Sequence, residues 1–248
     1  MKKLIQKSIP SLFTIGNLML GMFGIMMAFD GKLSMAAIMV IIAMLLDGLD
    51  GRVARALKCE SEFGKELDSL SDVVSFGVAP ALIMYLTSLQ DINSALGWTI
   101  TAIFPVFGAL RLARFNVRPG IPGYFVGLPI PAAGGVLATL ALFHKDVSAP
   151  FMIVATLLLS YLMVSTVKYP NFKKIGLPKK AVVGAPVVIV IAVAVAVVFP
   201  EQIAKLIFVL LALYALYGFK QSLGLLNARR LRRRRRRSED KVYHSKNS

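Results

Sequence analysis

The sequence predicts an all-α fold: a polytopic membrane helix bundle of about eight transmembrane helices, with both termini cytoplasmic. Three observations point there. The chain is 56% hydrophobic over 248 residues, with a mean hydropathy of +0.69; soluble domains hold roughly 45–50% apolar residues. Its apolar residues gather into runs of about 20, the length that crosses a hydrocarbon core of about 30 Å. Its basic residues fall on alternate loops, as the positive-inside rule requires.

The runs are, in order, 11–29, 33–54, 66–89, 96–115, 125–143, 149–167, 181–199 and 202–223. The first follows a basic start, MKKLIQK, in the manner of a signal peptide. No A-x-A-like cleavage site follows it, and it is long enough to span, so a retained helix is expected. Turn or interface residues separate the runs: Asp30-Gly31-Lys32, Gln90-Asp91-Ile92-Asn93, Arg118-Pro119-Gly120, His144-Lys145-Asp146, Tyr169-Pro170-Asn171 and Phe199-Pro200-Glu201. Assigned to alternate sides, all 29 Lys and Arg except Lys32, Lys145 and Lys205 fall on one side. That side carries the N-terminal lysines and the 52–65 segment and is expected to be cytoplasmic. An even number of spans returns the C-terminus to it; six spans with one re-entrant hairpin would also do so. Residues 1–223 then form the membrane domain and 224–248 a basic cytoplasmic tail.

The formal net charge is +16. A charge of that size suits nucleic-acid binding, but its placement argues against it. The arginines at 229, 230 and 232–237 follow the last apolar run with no interleaved aromatic residues. They read as a topology anchor beside anionic headgroups, each worth roughly 1 kcal/mol near the surface. Membrane lipids are the expected partner, and no nucleic acid. The single cysteine, Cys59, excludes an internal disulfide framework.

Four aspartates stand in or beside the second and third runs: Asp47, Asp50, Asp68 and Asp72. A carboxylate at membrane depth costs roughly 2.5–3.5 kcal/mol near a helix centre by insertion scales. Asp47 and Asp50 are three apart and share a helix face. Gly51 and Ala54 are small enough to let a ligand approach the backbone, and Arg55 could grip phosphate with two donors. Gly64, Asp68 and Asp72 form an i, i+4, i+8 stripe on the next helix. Two antiparallel helices would thus turn four carboxylates toward one cleft near the cytosolic surface. Hard divalent cations with oxygen ligands resolve that repulsion, and Mg²⁺ takes carboxylates together with substrate phosphates. Two such ions would clamp an in-line phosphoryl displacement. Stability ion pairs with Arg52, Arg55 and Lys65 are the plain structural alternative. A cation transporter is the alternative of a different class, but the halves AAIMVIIAMLL and FGVAPALIMYL are too apolar to line a path.

The run from Asp47 to Asp72 fits D-x2-D-G-x2-A-R-x8-G-x3-D-x3-D at every fixed position. It resembles the signature of the CDP-alcohol phosphatidyltransferases. The resemblance extends over about 10–135, the expected catalytic core; the last three apolar runs match only in general character. It implies a metal-dependent membrane enzyme, using Mg²⁺ or Mn²⁺, that moves a phosphatidyl group from a CDP-linked lipid to an alcohol and releases CMP. Asp47, Asp50, Asp68 and Asp72 would hold metal, and Asp72 would also be the general base. Gly51, Ala54, Arg55 and Gly64 would receive the CDP-lipid, and the resemblance adds Thr14 and Asn17 near the cytidine. It also implies a homodimer; the hydropathy and the charge split predict a cell-membrane location with the active site facing the cytoplasm.

Flanking segments narrow the acceptor. PSLFTIGN (10–17), SDVVSFGVAPA (71–81), RLARFNV (111–117) and GLPIPAAGG (127–135) resemble the phosphatidylserine synthase branch of the family. CDP-diacylglycerol and L-serine are then the expected substrates. Arg111 and Arg114, with Asn116, could hold the serine carboxylate; they could equally be positive-inside anchors. Glycerol 3-phosphate or inositol phosphate as acceptor would also use arginines there. Pro129 and Pro131 are expected to kink the fifth helix, and Gly16, Gly21 and Gly24 to permit close packing of the first.

Overall fold

The computed structural model describes residues 2–57, 59, 61–117, 124–170, 194–196, 198–218 and 220. Helix α1 (Lys2–Phe29) and helix α2 (Leu33–Leu57) form an antiparallel hairpin. Its turn is made by Gly31 at φ +73°, a left-handed conformation that suits glycine. Helix α3 (Glu62–Leu89) opens on Ser61, whose Oγ accepts the Gly64 N–H at 3.0 Å as an N-cap. Helices α4 (Ser94–Val117), α5 (Ile130–Phe143), α6 (Ala149–Val164) and α7 (Pro200–Gly218) follow among the described residues. Five of these helices are long and apolar enough to cross a membrane; α5 and α6 are shorter. The expected 181–199 run lies mostly outside the described residues.

Two departures from expectation involve the same segment. Residues Tyr124–Val126 (β1) pair antiparallel with Lys168–Pro170 (β2), Phe125 opposite Tyr169. The bundle thus carries a short β-ribbon that takes Phe125 and Val126 out of an expected helix and uses Lys168–Pro170, just past another expected run. Gly127, at φ +82°, then turns the chain, and α5 starts only at Ile130. Pro129 precedes the helix and Pro131 lies in its first turn, where no N–H is needed for the helical ladder. These prolines start a helix rather than kink one.

Helix α5 is the centre of the bundle. From Ala132 to Leu140 every residue is buried, the mark of a helix apolar on all sides. Its Gly134 meets α3 so closely that a Cβ there would lie 2.9 Å from the Phe76 Cα. From the other side Gly21 of α1 approaches the same stretch, and its Cβ would lie 2.7 Å from the Ser75 Cα. Both approaches land on a π-helical turn, Val73–Val78, that begins directly after Asp72. Widened turns of this kind recur at functional sites. The outward faces are apolar. Leu12, Ile15, Met19, Met22 and Met26 form a stripe along α1, and Val209, Leu213 and Leu216 one along α7. Stripes of that extent fit a lipid environment.

The basic residues separate along the helices. Lys32 and Lys145 line a cavity of about 340 Å³ at one end, together with Glu201. Arg52, Arg55 and Lys65 line another at the opposite end. Arg111 and Arg114 belong to that second end too, through the last turn of α4.

Candidate active site

The second cavity has a volume of about 690 Å³ and is built where α1, α2 and α3 converge. Asp47, Asp50, Gly51, Ala54 and Arg55 reach it from α2. Ser61, Gly64, Lys65 and Asp68 reach it from the start of α3, and Thr14 from α1. The antiparallel α2 and α3 therefore bring together residues up to 21 positions apart in sequence, as the i, i+3 and i+4 spacing requires.

One carboxylate oxygen from each of Asp47, Asp50 and Asp68 lies within 4.8 Å of the others. Asp50 is buried, while Asp47 and Asp68 are half-buried. This is a set of three hard oxygen donors at a spacing that fits a divalent cation of the Mg²⁺ or Mn²⁺ kind. Asp72, the fourth predicted ligand, is not in that set. It is one turn further along α3, 6% exposed, within electrostatic reach of Asp47 and Asp68.

Helix α1 supplies a second layer. Thr14 Oγ1 donates to Asp50 Oδ2 at 3.0 Å, and Asn17 Nδ2 reaches Asp72 Oδ1 at 3.5 Å. Both residues are buried. The α1 backbone that carries them is itself held from α3: Ser71 Oγ donates to the Thr14 carbonyl at 3.0 Å, and Ser75 Oγ to the Asn17 carbonyl at 2.9 Å. Ser71 had not been singled out from the sequence. The signal available was a small hydroxyl residue inside an apolar span, the type that bonds between helices in membranes. Gly16, Gly21 and Gly24 all face neighbouring helices, as expected.

Arg55 is exposed and folds back along α2; a Cβ at Gly51 would sit 3.4 Å from its Nη1. Gly51 thus leaves room for the guanidinium at the cavity wall. The N-terminus of α3 opens on the same cavity, where the helix dipole favours an anion.

The three predicted acceptor residues separate in role. Arg111 is 6% exposed, and its Nε has no hydrogen-bond partner among the described residues. Its charge lies beside Asp72. Arg114 is spent on the backbone: it donates to the carbonyls of Val164 at 2.7 Å, Ser165 at 3.2 Å, and Val126 and Met163 at 3.3 Å. Asn116 donates to Ser69 Oγ at 3.0 Å, and its carbonyl accepts from Lys65 Nζ at 3.3 Å. Arg114 and Asn116 thereby fasten the end of α4 to α6 and α3.

A family model for CDP-alcohol phosphatidyltransferase matches residues 7–167. The chain belongs to the CDP-alcohol phosphatidyltransferase family. The matched residues contain every element of the cavity and the whole aspartate run. Among relatives of this phosphatidyltransferase, a CDP-diacylglycerol–serine O-phosphatidyltransferase of Helicobacter pylori (strain ATCC 700392 / 26695) is 38% identical over 225 residues, covering 88% of this chain and 92% of its own. One of the same name from Bacillus subtilis (strain 168) is 37% identical, covering 67% of this chain and 92% of its own. An archaetidylserine synthase of Methanothermobacter thermautotrophicus is 39% identical, covering 68% and 72%. The α7 helix of this family member lies beyond the matched residues.

Proposed function

We propose that the protein transfers the phosphatidyl group of CDP-diacylglycerol to the hydroxyl of L-serine, giving phosphatidylserine and CMP. The observation that carries this reading is the convergence of Asp47, Asp50 and Asp68 within 4.8 Å at a cavity that also offers Arg55 and a helix N-terminus. Relatives named for serine transfer supply the acceptor.

The α3 N-terminus and Arg55 receive the pyrophosphate of the donor. Gly51, Ala54 and Gly64 keep the cavity wall low enough for the nucleotide to lie against the backbone. Thr14 and Asn17 face the cytidine side; the buried Asn17 Oδ1 has no partner among the described residues and is available to a ligand donor. Asp47, Asp50 and Asp68 would hold a divalent cation, which when bound would neutralise charge on the phosphates. A second ion of a pair would call on Asp72.

Asp72 is the proposed general base. It accepts the proton of the serine hydroxyl as that oxygen bonds to the lipid-side phosphorus. The bond from this phosphorus to the bridging oxygen breaks, and CMP leaves. Asn17 orients the Asp72 carboxylate, and Arg111 sets a positive charge beside it. Arg111 is also the proposed seat of the serine carboxylate, with Arg114 and Asn116 holding the α4 end that presents it.

We place this site on the cytoplasmic side of the cell membrane, in an eight-span protein with both termini cytoplasmic that works as a homodimer. The separation of basic residues to the aspartate end supports the orientation. CMP release from CDP-diacylglycerol, assayed in parallel with serine, glycerol 3-phosphate and inositol phosphate, tests the reaction. Serine is the expected preferred acceptor. Preference for either phosphate would overturn the acceptor and leave the family intact.

A further inference from the structure

The aspartate cavity carries a cation that the D-x2-D-G signature does not fix. Arg55 is a signature position; Lys65, which also lines the cavity, is not. Lys65 belongs to neither of the ion pairs found among the described residues, Lys32–Asp30 and Lys205–Glu201. Its charge is held instead by a neutral acceptor. Lys65 Nζ donates to the Asn116 carbonyl, in the last turn of α4, at 3.3 Å. Asn116 Nδ2 donates in turn to Ser69 Oγ at 3.0 Å, and Ser69 Oγ to the Lys65 carbonyl at 3.1 Å. This ring of three bonds ties the first turns of α3 to the end of α4. It fixes where the ammonium stands and takes one of its three donors.

The place so fixed is specific. Lys65, Asp68 and Asp72 follow an i, i+3, i+7 spacing and share a face of α3. The tether runs to α4, the helix of Arg111, and away from α2, the helix of Arg55. Lys65 therefore stands on the acceptor side of the cavity, with Arg55 on the α2 wall. In the reaction given above the acceptor oxygen attacks the lipid-side phosphorus, so the lipid-side phosphate is the one that a cation on this side meets. An ammonium is a compact point charge that suits a single phosphate oxygen and needs no planar, two-pronged partner.

We propose that Lys65 is a further donor-binding residue: its ammonium, held by the α4 backbone at Asn116, takes an oxygen of the lipid-side phosphate across the cavity from Arg55. The proposal rests on the CDP-lipid donor of the reading above and is independent of which alcohol accepts.

Formation of the lipid product from CDP-diacylglycerol at saturating Mn²⁺, with CDP and CMP as competing inhibitors, tests it. CDP carries both phosphates and CMP only the cytidine-side one. In Lys65→Met the inhibition constant of CDP should rise about tenfold, the loss of one hydrogen bond to a charged group, and the KM for CDP-diacylglycerol should rise with it. The CMP constant should stay within about twofold. Lys65→Arg, which keeps a cation at the position, should recover most of the loss. Ser69→Ala is the control: it breaks the ring of bonds without removing the ammonium, so it should lower the melting temperature and leave the CDP constant within about twofold. An unchanged CDP constant in Lys65→Met, equal rises for CDP and CMP, or a rise in Ser69→Ala matching that of Lys65→Met overturns the proposal. If the wild-type protein forms no lipid product from CDP-diacylglycerol with any acceptor, the donor reading fails and takes this proposal with it. If wild type is active and Lys65→Met is unchanged, only the role of Lys65 fails.

Discussion

Thr14 Oγ1 donates to Asp50 Oδ2 at 3.0 Å across the α1–α2 hairpin. The bond occupies one lone pair of Asp50 and holds its carboxylate, one oxygen of which lies within 4.8 Å of oxygens of Asp47 and Asp68. Outer partners of this kind orient metal ligands, and their loss typically costs 10–100-fold in metal affinity or activity. Thr14→Val should therefore raise the Mn²⁺ concentration for half-maximal CMP release about tenfold. Thr14→Ser should restore it. The metal titration of both variants is the measurement.

Asp72 stands apart from the three clustered carboxylates, so its replacement should separate chemistry from metal binding. Asp72→Asn should lower the turnover of CMP release by about 10²–10⁴-fold, the usual contribution of a positioned base. Asp68→Asn should act differently, shifting the metal requirement first. Turnover of Asp72→Asn near the wild-type value in a folded protein would remove Asp72 as base.

Gly21 and Ser75 touch at the π-helical turn behind the site. Gly21→Ala would force a Cβ to 2.7 Å from the Ser75 Cα, which only a backbone shift relieves. Overpacking of this sort costs about 1–3 kcal/mol. The melting temperature in detergent should fall. Activity should fall with it even below that temperature, because the same α1 segment presents Asn17 to Asp72.

Arg114 and Arg111 lie three residues apart, yet their variants should diverge. Lysine at 114 cannot serve four carbonyls from one planar fork, so Arg114→Lys should mainly destabilise the protein. Arg111→Lys should mainly raise the serine KM. Thermal unfolding and kinetics on the same preparations distinguish the two; equal serine-KM shifts would return both to the acceptor site.

Cys59 lines the aspartate cavity and is half-buried. A membrane-impermeant maleimide should label it in inside-out vesicles and leave it unlabelled in intact cells. Labelling from outside would invert the proposed orientation.

The aspartate run shows how far local rules reach. Helical periodicity alone places Asp47 with Asp50, and Asp68 with Asp72, each pair on one face, because 3.6 residues per turn leaves no other arrangement. Charge placement separates the helix ends for a similarly general reason. The β-ribbon was not legible. Tyr124–Val126 and Lys168–Pro170 are short and more than 40 residues apart, so nothing in either segment announces its partner.

The sequence by itself determined a helical membrane bundle, the family signature, and a cluster of carboxylates on two adjacent helices. Those follow from hydropathy, period and spacing, which are local properties. Only the tertiary structure decided that Asp72 stands outside the three-carboxylate cluster, that Arg114 is committed to backbone carbonyls while the Arg111 Nε has no hydrogen-bond partner among the described residues, and that Tyr169 of the β-ribbon fastens α7. Each of these depends on which helices touch and at what depth. In a membrane that is settled by the close approach of small residues such as Gly21, Gly134 and Gly218 and by hydrogen bonds between helices, whose partners lie far apart along the chain.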